Sequence, residues 1–127
     1  MADNISPSLI LLTYKGKVLL MNKSDSVVDE EAHPWSFIGG VVKYRDSFEH
    51  VMSKRVKKET GIEIEKVEAV DESCYVAKLT DDNVNKMERT QNQLLNFFTF
   101  KELKKLFLTI PTRQFISKHS ELILNSL

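Results

Sequence analysis

The sequence predicts an α+β fold, an α/β/α sandwich in which a mixed β-sheet is flanked by helices. Three observations predict it. β-type runs and amphipathic helical runs follow one another in the order strand, strand, strand, helix, strand, strand, helix, the pattern of helices packed on a sheet. Lys15-Gly16 sits between two apolar runs, a hairpin signal. The run from Asp46 to Gly61 carries both a start and a stop signal for a helix.

The elements follow in order. Ser8 to Tyr14 and Val18 to Met21 are the two strands of the hairpin. Lys23 to Pro34 is polar and acid-rich, with no period, and reads as a loop. Trp35 to Ile38 is a short apolar strand ending on Gly39-Gly40, and Val41 to Arg45 is a further extended piece or turn. Asp46-Ser47 supplies a helix N-cap, and Glu49 places a negative charge in the first turn, where the helix dipole favours it. Phe48, Val51, Met52 and Val56 give that helix an inward stripe, and Gly61 ends it. Ile62 to Lys78 alternates as one long strand or a bent pair. Asp81 to Thr90 reads as a polar loop, and Leu94 to Phe100 as a strand whose phenylalanines belong to the core. Glu102 to Leu106 is a short helical turn. Pro111 suits the first turn of a final helix running to about Asn125, with Phe115, His119, Leu122 and Ile123 on one face.

Bulk properties narrow the function classes. The 127 residues fit one domain over 1–127, large enough for a core that needs no disulfide or metal staple. Net charge is zero, which argues against a protein that coats nucleic acid. The apolar runs are far shorter than the roughly 20 residues that cross a bilayer. The one cysteine, Cys74, excludes an internal disulfide and reads as a small buried hydrophobe. With no basic leader at the start, the expected location is the cytoplasm. Oligomeric state is not legible.

The chemistry concentrates in one segment. Gly40 is followed by five residues, Asp46, seven residues, then Lys54-Arg55-Val56-Lys57-Lys58-Glu59-Thr60-Gly61-Ile62. This spacing resembles the box of the Nudix (MutT-like) hydrolases, G-x5-E-x7-R-E-U-x-E-E-x-G-U, where U is a bulky aliphatic, with no gap from first glycine to last. Trp35 to Gly40 resembles the strand that leads into it. The resemblance implies a Nudix fold, cleavage of a pyrophosphate-linked nucleotide, and Mg2+ or Mn2+ held by acids on one helical arc. Hard dications prefer carboxylate oxygens, and residues three and four apart share a helix face.

The acid positions of that arc fall on 55, 58 and 59, which here hold Arg, Lys and Glu. A formal charge of minus three becomes plus one. At an effective dielectric near 20, two unit charges about 4 Å apart interact by roughly 4 kcal/mol, so this swing bears directly on metal binding. Asp46 and Lys54 replace a glutamate and an arginine of the pattern. By resemblance Glu59 is the remaining metal-binding and catalytic residue, and Gly39 and Gly40 let the backbone approach phosphate. The basic patch itself offers Arg55 and Lys58 as direct phosphate-binding cations, and Trp35 offers a ring that stacks on substrate. Read without the resemblance, Glu59 pairs with Arg55 at i,i+4, Asp46 is an N-cap, and Trp35 is core. His33 and His50 have no spaced metal partner, and His119 is a satisfied boundary residue. Asp71, Glu72, Asp81, Asp82 and Glu88 are the candidate acids outside the box. The ligand expected is a small nucleotide or phosphorylated molecule, either hydrolysed with metal or held by Arg55 and Lys58 without it. A scaffold for protein contacts is the remaining alternative.

Overall fold

The computed structural model describes residues 8–23, 34–42, 47–88 and 93–126. Most of the loop expected from Lys23 to Pro34, with His33, lies outside them, as do Lys43 to Asp46 and the end of the loop expected after Asp81. The described residues form a mixed sheet of six strands with helices on it: β1 (Ser8–Tyr14), β2 (Lys17–Lys23), β3 (Ile38–Gly40), α1 (Phe48–Thr60), β4 (Glu68–Ala69), β5 (Cys74–Lys78), α2 (Asp81–Asn85), β6 (Gln93–Phe98), α3 (Phe100–Leu103), α4 (Ile110–Lys118) and α5 (Ser120–Ser126). Strand order is β4-β5-β1-β2-β6, and β3 also pairs with β1. The β1–β5 pair is parallel and the others are antiparallel. Among the described residues no helix is long and apolar enough to cross a membrane.

Local chemistry explains the hairpin. Lys15 and Gly16 both take positive φ, 44° and 79°, the handedness that suits the twist of paired strands. The β1–β2 pairing is confined to the turn end, Thr13 with Val18 and Tyr14 with Lys17. Beyond it β3 pairs with the start of β1, and Ser36 bridges Met21 of β2. The third strand is therefore shifted from expectation. It begins at Ile38 and includes both glycines, while Trp35 and Ser36 make isolated bridges. The reason is a close approach. A Cβ on Gly39 would stand 2.7 Å from Leu9 Cδ2 and 2.8 Å from the Ser8 carbonyl oxygen, so pairing with β1 at this point requires glycine.

Alternation along the strands sorts the core onto two faces. Ile10, Leu12, Leu19, Ile38 and Tyr75 face α1 through its buried Met52 and Val56. Leu9, Leu11, Leu20, Phe37 and Phe98 face the C-terminal helices through Phe115 and Ile123. Each fully buried side chain of this kind contributes about 1.5–3 kcal/mol. Phe48 and Val51 complete the expected stripe of α1 as half-buried residues.

One open alternative is decided, and two further elements differ from expectation. Ile62 to Lys78 is a bent pair: β4 and β5 turn back on each other at 70–73, where the Val70 and Asp71 N–H groups both donate to the Cys74 carbonyl. The segment after Asp81 begins as a helix, not a loop. Thr80 and Asn83 form a reciprocal cap with two acids in the first turn, and no residue of α2 is buried, so its apolar pattern carried no signal. The final helix breaks at His119 into α4 and α5, where His119 turns to meet Asp71.

Candidate functional site

The site is built where α1 packs against β3. Ser47 is the N-cap, its hydroxyl accepting from the His50 N–H. Gly61 closes the helix at φ 78°, donating to the Lys57 carbonyl. The Thr60 hydroxyl donates to the Val56 carbonyl and accepts from the Ile62 N–H, fixing the exit. Between these ends, positions 55 and 59 lie one turn apart on the side that faces the glycines.

Arg55 joins the two elements. Its Nε donates to the Gly39 carbonyl at 2.8 Å, and its Nη2 lies 3.6 Å from Glu59 Oε1. The Glu59 side chain is only 7% exposed, the Arg55 side chain 35%. Gly40 leaves room for the arginine stem, since a Cβ there would sit 3.5 Å from Arg55 Cγ. The structure thus brings together Gly39, Gly40, Arg55 and Glu59. Lys58 is on the same helix and exposed to solvent. Asp46 lies outside the described residues, and His50 is exposed.

Trp35 is not part of this group. Its ring meets Phe98 edge-on at 5.0 Å and packs with the cluster on the opposite face of the sheet. Its backbone is held by the Phe107 carbonyl and the Thr109 N–H.

The acids outside the box separate. Asp81 accepts from the Tyr14 hydroxyl at 2.6 Å and pairs with Lys15 at 3.1 Å, tying α2 to the hairpin. Asp82 pairs with Lys86. Asp71 turns away from α1 to His119 and Lys118. Glu88 comes against the end of the box: its N–H donates to the Thr60 carbonyl at 2.7 Å, and its Cγ is 3.0 Å from where a Gly61 Cβ would be. Sequence order does not single it out, because its position depends on α2. A cleft of about 1000 Å³ opens beside this helix end, its walls including Lys57, Gly61, Asp82 and Lys86.

The NUDIX domain family model matches residues 4–117. The chain belongs to the Nudix family. A search of curated proteins found no matching relative. Among solved structures, a MutT/Nudix family protein from Listeria innocua superposes with a TM-score of 0.67 at 16% identity, covering 98% of this chain and 97% of that one. A MutT Nudix hydrolase from Burkholderia pseudomallei gives 0.62 at 18% identity, with 95% of each chain covered. The Nudix domain of Shewanella oneidensis NrtR, crystallised with ADP ribose, gives 0.61 at 16% identity, covering 92% and 86%. At these identities the likeness speaks for the fold.

Nudix hydrolases generally use divalent metals. The residues of this Nudix box do not fit a site for several dications. The cation between the Gly39 carbonyl and the Glu59 carboxylate is the Arg55 guanidinium, and Lys58 adds a second positive charge on the same helix. An incoming dication would have to displace this covalently tethered monocation.

Proposed function

We propose that this Nudix-family chain, taken as one domain over residues 1–127, binds a nucleoside-diphosphate-type, pyrophosphate-linked ligand with Arg55 and Lys58 as its phosphate-facing cations. The single observation that supports this reading is the Arg55 bridge from Gly39 to Glu59. A guanidinium carries five N–H donors in a planar fork, so Arg55 can hold both oxygens and present its remaining donors to a phosphate through its exposed third. Charge-assisted contacts of that kind are strong. They neutralise a pyrophosphate but do not polarise a water, so hydrolysis is weak or absent. The ADP-ribose complex of the Shewanella Nudix domain suggests the probe.

A second reading is a slow hydrolase that needs Mg2+ or Mn2+, with Glu59 as ligand. Glu88 favours it, as an acid from outside the box brought beside Gly61.

Equilibrium binding of ADP ribose and of nucleoside diphosphates, in EDTA and then in Mg2+ or Mn2+, separates the two. On the first reading binding survives EDTA, weakens with salt and falls in Arg55→Gln. Metal-dependent turnover that disappears in Glu59→Gln would establish the second reading and sink the first.

A further inference from the structure

We propose that Asp71, Cys74 and His119 form a binding site for a zinc-class dication, on the opposite side of the sheet from Arg55 and Glu59. One ligand atom from each residue lies within 4.8 Å of the other two. The donors come from two places far apart in sequence. Asp71 lies in the tight β4–β5 turn, Cys74 opens β5, and His119 stands at the break between α4 and α5.

The carboxylate is held in place before any ion arrives. Asp71 Oδ1 accepts from the Ser73 N–H at 2.8 Å, and Oδ2 lies 2.7 Å from His119 Nε2. The turn is pinned by the two N–H groups that share the Cys74 carbonyl. The imidazole is oriented by its edge-on contact with Phe115. The three donors therefore face one small shared volume.

Their chemistry selects the ion. Thiolate, imidazole and carboxylate together suit zinc, whereas magnesium and manganese prefer oxygen alone. Bonds of about 2.3 Å to sulfur and about 2.0–2.2 Å to nitrogen and oxygen make a tetrahedral site. Reaching it requires the Asp71–His119 hydrogen bond to open modestly. On binding, the Cys74 thiol gives its proton to solvent, and the proton that His119 Nε2 donates to the Asp71 carboxylate moves through solvent to Nδ1, so that Nε2 faces the ion.

Lys118 Nζ sits 3.0 Å from Asp71 Oδ2 and opposes a dication, but its side chain is 65% exposed and can swing out. A cavity of about 220 Å³, lined in part by Ser73, Cys74, Gln114 and Lys118, opens at the thiol and leaves water a path to the fourth corner. The bound ion would clamp the β4–β5 turn to the C-terminal helices, so binding adds to folding stability.

Cobalt(II), a spectroscopic stand-in for zinc, tests this on the full chain. Cys74 is the one thiol in the sequence, so thiolate-to-cobalt charge-transfer absorption can come from nowhere else. The band is expected to saturate at one equivalent and to be displaced by Zn2+. It should be lost in Cys74→Ser and unchanged in Glu59→Gln. Affinity should fall by about tenfold or more in Asp71→Asn and His119→Gln, since even the outer partners of a metal site carry that cost. Lys118→Ala, a surface change that leaves the fold intact, should tighten binding several-fold. Absence of the band in folded protein would overturn the proposal. So would a band indifferent to both Asp71→Asn and His119→Gln, which marks adventitious binding to a thiol. Should those two variants unfold, unchanged or weaker cobalt binding in Lys118→Ala overturns it.

Discussion

Arg55 reaches from α1 to β3 and holds the Gly39 carbonyl at 2.8 Å, while one turn along its own helix Glu59 lies 3.6 Å from the same guanidinium. A side chain that stands at an acidic position of the Nudix pattern has become the tether between the glycine strand and the box helix.

The tether has a stability consequence and a chemical one. Arg55→Met removes the donor to Gly39 and one partner of a buried carboxylate, and should cost about 1–3 kcal/mol in urea unfolding. Arg55→Glu with Lys58→Glu returns the three positions from plus one to minus three. That double variant should bind Mn2+ measurably by electron paramagnetic resonance where the parent does not. Continued absence of binding would mean that the pocket differs from a metal site by more than these two charges.

The two glycines of β3 should respond differently. Gly39→Ala pushes a methyl into the Ser8 carbonyl and Leu9, and backbone cannot yield as a side chain can. A loss of about 1–3 kcal/mol is expected, the usual cost of overpacking. Gly40→Ala meets Arg55 at ordinary contact distance and should be nearly neutral in thermal unfolding.

Asp71 should make stability depend on acid pH. Burial works to raise its pKa, but the Ser73 N–H, His119, Lys118 and Cys74 together bring it well below the usual carboxylate range. A carboxyl whose folded pKa is depressed stabilises fully above its unfolded value, about 3.9, and that contribution fades as pH falls through the folded value. Parent and Asp71→Asn should therefore differ most above about pH 5 and converge in stronger acid, as read by denaturant midpoints across pH.

Cys74 should be a slow nucleophile in metal-free protein. Burial, and then the neighbouring Asp71 carboxylate, push its thiol from 9.0 up to about 11. At pH 8 this lowers the thiolate fraction by about a hundredfold. Alkylation by iodoacetamide, followed by mass spectrometry, should be slow in the native chain and fast in urea. Equal rates in the two states would show that the thiol is neither buried nor perturbed.

Much of the frame is legible from the residues in order. The Lys15-Gly16 hairpin, the Ser47 cap, the Gly61 stop and the gapless spacing from Gly40 to Ile62 are local signals, written in turn dihedrals and in neighbours four residues apart. So is the substitution of Arg55 and Lys58 at acidic positions, and the i,i+4 pairing of Arg55 with Glu59 follows from helix geometry alone. The α2 helix escaped because its cap had no apolar stripe behind it. The shift of β3 escaped because the Gly39 approach to Ser8 is made across strands.

The Nudix frame and the charge reversal within its box are written in the order of the residues. Packing across the fold set the rest: which oxygens Arg55 meets, the place of Trp35 on the far face with Phe98, the approach of Glu88 to the end of α1, and the meeting of Asp71, Cys74 and His119. The difference is one of range. Turn and helix signals act within a few residues, whereas Asp71 and His119 are 48 residues apart. They meet because β5 pairs with β1 beneath the C-terminal helices, an arrangement set by burial of the whole core.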